Sequence, residues 1–87
     1  MSKSDKLLAR LRSRPKDFTF KELETLLTGL GFALSNAGDA SGSAVRFVNR
    51  STGQILRLHK PHPAPELKPY LVRYILRELD QGGYLDD

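Results

Sequence analysis

Residues 44 to 59 read Ala44-Val45-Arg46-Phe47-Val48-Asn49-Arg50-Ser51-Thr52-Gly53-Gln54-Ile55-Leu56-Arg57-Leu58-His59. Val45 and Phe47 fall on one side of an extended chain, with Ala44, Arg46 and Val48 on the other. After the turn formers Ser51-Thr52-Gly53, Leu56 and Leu58 alternate with Ile55, Arg57 and His59. A period of two belongs to strands, and two such runs around a short polar segment predict a β-hairpin with one apolar face. Burying all four apolar residues together fixes the register, because a one-residue slip would turn one strand over. Pairing Val45 with Leu58 and Phe47 with Leu56 closes a four-residue loop, Arg50 to Gly53, and sets Arg46 opposite Arg57 and Ala44 opposite His59. A two-residue shift would instead pair Arg46 with His59. Opposed like charges destabilise a hairpin. The arginines and histidine therefore suit an anion such as phosphate; solvated charges guarding a sheet edge are the other reading.

Upstream, Thr19-Phe20-Lys21-Glu22 is a capping box, with Phe18 and Leu23 placed as its hydrophobic staple. Phe20, Leu23, Leu26, Leu27 and Leu30 form the stripe of a helix running from about Phe20 to Leu30, and Gly31 is its left-handed stop. Phe32 to Ser35 supplies a short third strand, and Asn36 to Ser43 is a loop. Downstream, Pro61, Pro63 and Pro65 precede a helix predicted from about Glu66 to Gln81, with Leu67, Leu71, Tyr74, Ile75 and Leu79 facing inward and Gly82-Gly83 ending it. Ser2 to Ser13 reads as a short extra helix stopped by Pro15. The fold class is α+β: a three-stranded antiparallel sheet packed on two helices, with an extra N-terminal helix or arm. Residues 1–17 form that basic segment and residues 18–87 the domain proper.

The 87-residue chain has room for one small core, no cysteine for a disulfide or thiolate metal site, and two histidines, too few for a structural zinc. It has no membrane-length apolar run and no signal-peptide pattern, so a cytoplasmic location is expected. It carries no Walker loop, no G-x-G-x-x-G and no nucleophile elbow, which argues against a conventional metabolic enzyme. The formal net charge is +4. Residues 1–16 hold six cations against Asp5, while residues 44–77 hold seven against Glu66. Both zones invite a polyanion, although an N-terminal arm also gains solubility from such charge.

K-E-L-x-x-L-L-x-x-L-G-F from Lys21 to Phe32, a loop ending Gly42-Ser43, the hairpin, Pro61-His62, and E-L-K-P-x-L from Glu66 to Leu71 together resemble the HicA family of mRNA interferase toxins, over roughly residues 20 to 80. The resemblance implies a double-stranded-RNA-binding-like α-β-β-β-α fold and ribosome-independent, metal-independent endonucleolytic cleavage of mRNA. It also implies a toxin of a type II toxin–antitoxin system neutralised by a HicB-like antitoxin, with no cofactor. The family's usual signature at the loop end is G-S-H, with a catalytic histidine; here it is Gly42-Ser43-Ala44. A methyl group accepts no proton, so Ala44 removes the expected base. An introduced substitution, chemistry relocated within a divergent branch and an inactive relative that only binds RNA all remain open. The last of these is a non-catalytic RNA-binding module of the same fold.

Cleavage of RNA through its 2′-hydroxyl needs a base, a cation for the charge growing on phosphorus, and an acid for the 5′-oxygen. His59-Lys60-Pro61-His62 is the richest chemical cluster in the chain. In the register above, His59 stands across from position 44 and can replace the absent base, while Arg46, Arg57 or Lys60 binds the phosphate. Ser43 joins Ala44 at the loop end, where Gly42-Ser43 reads as a functional bend or a simple turn. His62 takes the family's P-H position, in a catalytic, phosphate-binding, structural or antitoxin-facing role. Lys68, Arg73 and Arg77 lie along one flank of the last helix and suit phosphate tracking. The competing readings are loop-capping histidines and an ordinary wet helix face.

Overall fold

The computed structural model describes residues 3–36, 44–61 and 64–85. Its elements are α1 (Lys3–Arg12), α2 (Phe20–Gly29), β1 (Phe32–Asn36), β2 (Ala44–Asn49), β3 (Ile55–His59) and α3 (Pro69–Gln81). The strands form one antiparallel sheet in the order β1-β2-β3. The hairpin register is the one the apolar alternation requires, with Val45 opposite Leu58, Phe47 opposite Leu56, Arg46 opposite Arg57 and Ala44 opposite His59. On β1, Ser35 faces Arg46 and Ala33 faces Val48. The sheet thus has a buried face of Phe32, Val45, Phe47, Leu56 and Leu58, and an outer face carrying Ser35, Ala44, Arg46, Arg57 and His59.

The capping box starts α2: the Glu22 N–H donates to Thr19 Oγ1 at 3.2 Å, and the Thr19 N–H donates to Glu22 Oε1 at 3.0 Å. Phe18 and Leu23, the staple, are both fully buried. Gly31 at φ 99° turns the chain out of α2 into β1. Phe20 of α2 then packs on Phe47 of the sheet, ring centroids 6.1 Å apart.

α3 begins three residues later than the sequence periodicity predicts. Lys68 precedes a proline and is extended, at φ −72° and ψ 152°, because the residue before proline is driven out of the α region. Pro69 then opens the helix at its first turn, where a missing N–H costs nothing. The residues before it are used otherwise. Glu66 forms a β-bridge with Thr19, the Leu67 N–H donates to the Phe18 carbonyl at 2.8 Å, and the Phe20 N–H donates to the Pro65 carbonyl at 3.0 Å. Leu67 is buried as expected, but from an extended segment. At the other end Gly83 at φ 82° allows Tyr84 N–H to reach the Leu79 carbonyl at 2.9 Å and its own N–H to reach Asp80 at 3.1 Å, a Schellman stop.

α1 is docked. Leu11 is fully buried in the common core, with Leu7 and Leu8 partly buried beside it. Arg10 crosses to α2, pairing with Glu22 at 3.1 Å and Asp17 at 2.7 Å and lying over the Phe18 ring at 5.1 Å. The helices approach closely where Gly29 meets Ser4, since a Cβ on Gly29 would lie 2.5 Å from the Ser4 Cβ.

The hairpin turn is held from within. Asn49 is 2% exposed. Its Oδ1 accepts from the Ser51 and Thr52 N–H groups, and its Nδ2 donates to the Leu30 carbonyl and to Tyr84 Oη. Tyr84 stacks at a tilt on Phe32, 5.4 Å between centroids. One side chain thereby joins the turn, the end of α2 and the segment after α3.

Candidate functional site

The Asn49 N–H donates to the Gln54 carbonyl, so that pair is hydrogen-bonded. Antiparallel pairs alternate between hydrogen-bonded and non-hydrogen-bonded. Counting along the ladder, Arg46–Arg57 and Ala44–His59 are both non-hydrogen-bonded, the kind in which side chains stand closest, with Cα atoms about 4.5 Å apart. Two guanidinium stems therefore rise side by side from the outer face. Arg46 is half-buried, and its Nε is sealed from solvent with no hydrogen-bond partner among the described residues. A buried donor left unmade is costly. A phosphate or carboxylate seated between the two guanidinium ends would cancel the repulsion.

The non-hydrogen-bonded position also turns the Arg57 N–H away from β2, out of the sheet edge. There it donates to Tyr74 Oη of α3 at 3.2 Å. α3 is thus fastened along β3, and the arginine pair sits beside a helix rather than on an open edge.

His59 is exposed and borders three adjoining clefts. One, of about 230 Å³, lies against Ala44, Val45, Arg57 and Leu58. A larger one, of about 320 Å³, is walled by Arg57, Leu58, Leu71, Tyr70 and Tyr74. The third lies towards Lys60, Pro61, Lys68 and Tyr70.

Of the residues the sequence singled out, Ala44, Arg46, Arg57 and His59 share one patch. Lys60 and Lys68 meet His59 from the far side, and Lys60 Nζ lies 5.6 Å from the centroid of the Phe20 ring. Arg73 is elsewhere, on a cleft it shares with Arg77 and with α1. Ser43 and His62 lie outside the described residues. Tyr70 and Tyr74 were missed as neighbours of this patch. Tyr70 is 62% exposed, and Tyr74 was assigned to the inward stripe. The signal was Pro69: once it is read as the first helical residue, the tyrosines fall one turn apart on the side of α3 nearest β3. The described residues contain no group of acidic or histidine side chains able to hold a metal ion. No helix is long and apolar enough to cross a membrane among the residues searched.

A three-stranded antiparallel sheet with its helices on one face and a cationic outer face is an α+β fold of the double-stranded-RNA-binding-like kind. The family model for the HicA toxin of bacterial toxin–antitoxin systems matches residues 20–81, and the chain belongs to that family. Neither a curated protein nor a solved structure matches it significantly. As a member of a toxin–antitoxin family, the protein is a toxin-type component whose action is paired with that of a partner.

Proposed function

We propose that the protein is an endoribonuclease toxin that cuts mRNA without the ribosome and is neutralised by a HicB-like antitoxin in the cytoplasm. The observation that carries this reading is the opposed Arg46–Arg57 pair, set one step along the strand from Ala44–His59. The arginines would grip the scissile phosphate and stabilise the charge that grows on it, which is where planar, multidentate donors are most effective. An imidazole beside them would take the proton from the attacking 2′-hydroxyl. In the family that group belongs at position 44. Here position 44 carries a methyl, and His59, directly across the strand, is the imidazole within reach. Ser43 and His62 complete the proposed loop contacts, with Lys60, Lys68 and Arg73 as further phosphate ligands.

General acid–base catalysis contributes about 10²–10⁴ in rate. Restoring the imidazole by Ala44→His is therefore expected to raise RNA cleavage by about 10² or more, read as new 5′ ends by primer extension on cellular mRNA and as growth arrest. His59→Ala should lower whatever cleavage the chain has by a similar factor. The Ala44 methyl also supports a second reading, an RNA-binding module that does not cut. That module would bind RNA with a steep salt dependence and give no new ends with either variant.

A further inference from the structure

Arg12, Arg14, Arg73 and Arg77 converge on a cleft of about 410 Å³ between the end of α1 and the exposed side of α3. Leu76 and Leu85 contribute its apolar surface, and among the described residues Asp80 is the one carboxylate on its wall. All four arginines are exposed. Like charges gathered around one depression repel, and a polyanion seated there would offset them. Arg14 adds a conformational cost: it sits at φ 54°, a left-handed backbone that a side chain other than glycine seldom adopts. Its N–H closes α1 onto the Leu11 carbonyl at 2.9 Å. Arg12 and Arg14 lie before residue 20, where the family match begins, so two of the four arginines come from a segment the family match does not include.

The cleft is joined to the hairpin by one stripe of α3. Tyr70, Arg73, Tyr74 and Arg77 stand at i, i+3, i+4 and i+7, a single side of the helix. The tyrosines border the cleft next to Arg57 and His59, and the arginines border the cleft next to Arg12 and Arg14. From residue 70 to residue 77 is about 10 Å along the axis, roughly three nucleotides at about 3.4 Å per stacked nucleotide. The exposed Tyr70 ring followed by the exposed guanidinium groups of Arg73 and Arg77 along a track of that length suits a single strand of nucleic acid, whose bases stack and whose phosphates pair.

We propose that the four-arginine cleft binds backbone phosphates of the same single-stranded RNA whose scissile phosphate is held at the hairpin, which makes α1 an RNA-gripping element. This rests on the RNA reading of the hairpin. An acidic protein segment would satisfy the same charges, but only a strand accounts for the continuous stripe between the clefts.

The test uses the full chain, a short fluorescein-labelled single-stranded RNA and fluorescence anisotropy across a range of KCl concentrations. Three double variants are compared: Arg12→Gln with Arg14→Gln, Arg73→Gln with Arg77→Gln, and Arg46→Gln with Arg57→Gln. Circular dichroism melts check that each is folded. Each single-strand phosphate contact contributes about 0.7 to the slope of log affinity against log salt, so either cleft pair should flatten it by about 1.4 and weaken binding about tenfold at low salt. Cleft variants with the parent's affinity and slope, beside a weakened hairpin variant, would overturn the proposal and leave the hairpin reading standing. Loss with the cleft variants alone supports the cleft and overturns the hairpin reading. A parent that binds no RNA overturns both. Tighter binding of a poly-glutamate peptide than of RNA, lost in the cleft variants, overturns the proposal in favour of an acidic partner.

Discussion

Reversing one charge of the opposed arginine pair, by Arg57→Glu, should make the free protein more stable. Arg46 and Arg57 face each other at a non-hydrogen-bonded position, the closest approach a ladder offers. Cross-strand pairs are worth about 0.2–1 kcal/mol, unfavourable for like charges and favourable for opposite ones. Changing the sign removes one contribution and adds the other, a total of about 0.5–2 kcal/mol. A carboxylate at 57 also supplies an acceptor for the buried Arg46 Nε. The bond from the residue 57 N–H to Tyr74 is a backbone bond and survives the change. For a domain of 60–100 residues each kcal/mol moves Tm by about 4–8 °C, so the expected rise is roughly 4–8 °C around the middle of the range. Thermal denaturation followed by circular dichroism, at low and high NaCl, is the assay. The gain should shrink with salt, because the Debye length falls from about 10 Å at 0.1 M to about 3 Å at 1 M. Phosphate should protect the parent and not the variant, since a ligand that binds only the folded state stabilises by mass action. A variant no more stable than the parent at low salt, or a gain indifferent to salt, would refute the placement of the two charges.

Asn49→Ala removes four hydrogen bonds at the hairpin turn; counting about 1 kcal/mol for each of the two made by Nδ2 and less for the turn N–H groups gives a loss of about 2–3 kcal/mol, measurable as a lower urea midpoint. Leu11→Ala empties a fully buried site between α1 and the rest of the core and should cost about 2–5 kcal/mol; an unchanged midpoint would mean that α1 is not docked in solution.

The hairpin was legible because its chemistry is redundant. Alternation, four apolar residues and a Gly53 turn all demand one register, and the closeness of Arg46 to Arg57 follows from it. The start of α2 was equally plain, since Thr19, Glu22, Phe18 and Leu23 each carry part of the same signal. The start of α3 was not, because Leu67 and Leu71 fit a helical period whether or not residue 67 is helical; the deciding forces are the pre-proline restriction on Lys68 and a bridge from Glu66 to a residue far back in the chain, Thr19. Asn49 read as an ordinary residue beside a turn. Its burial depends on Leu30 and Tyr84, distant partners that no local pattern announces. The patch around His59 was found from strand pairing, whereas its tyrosine wall and the separate arginine cleft depend on how α3 lies against β3 and α1.

The link between Asn49 and Tyr84 spans 35 residues of sequence, and chains are made from the N-terminus at about 5–20 residues per second, so Tyr84 leaves the peptidyl centre roughly 2–7 s after Asn49. During that interval the nascent hairpin lacks the hydroxyl that holds its turn asparagine, and it lacks the helix that fastens the Arg57 edge. The outer-face patch is therefore assembled late in synthesis, once α3 and the turn after it have been made.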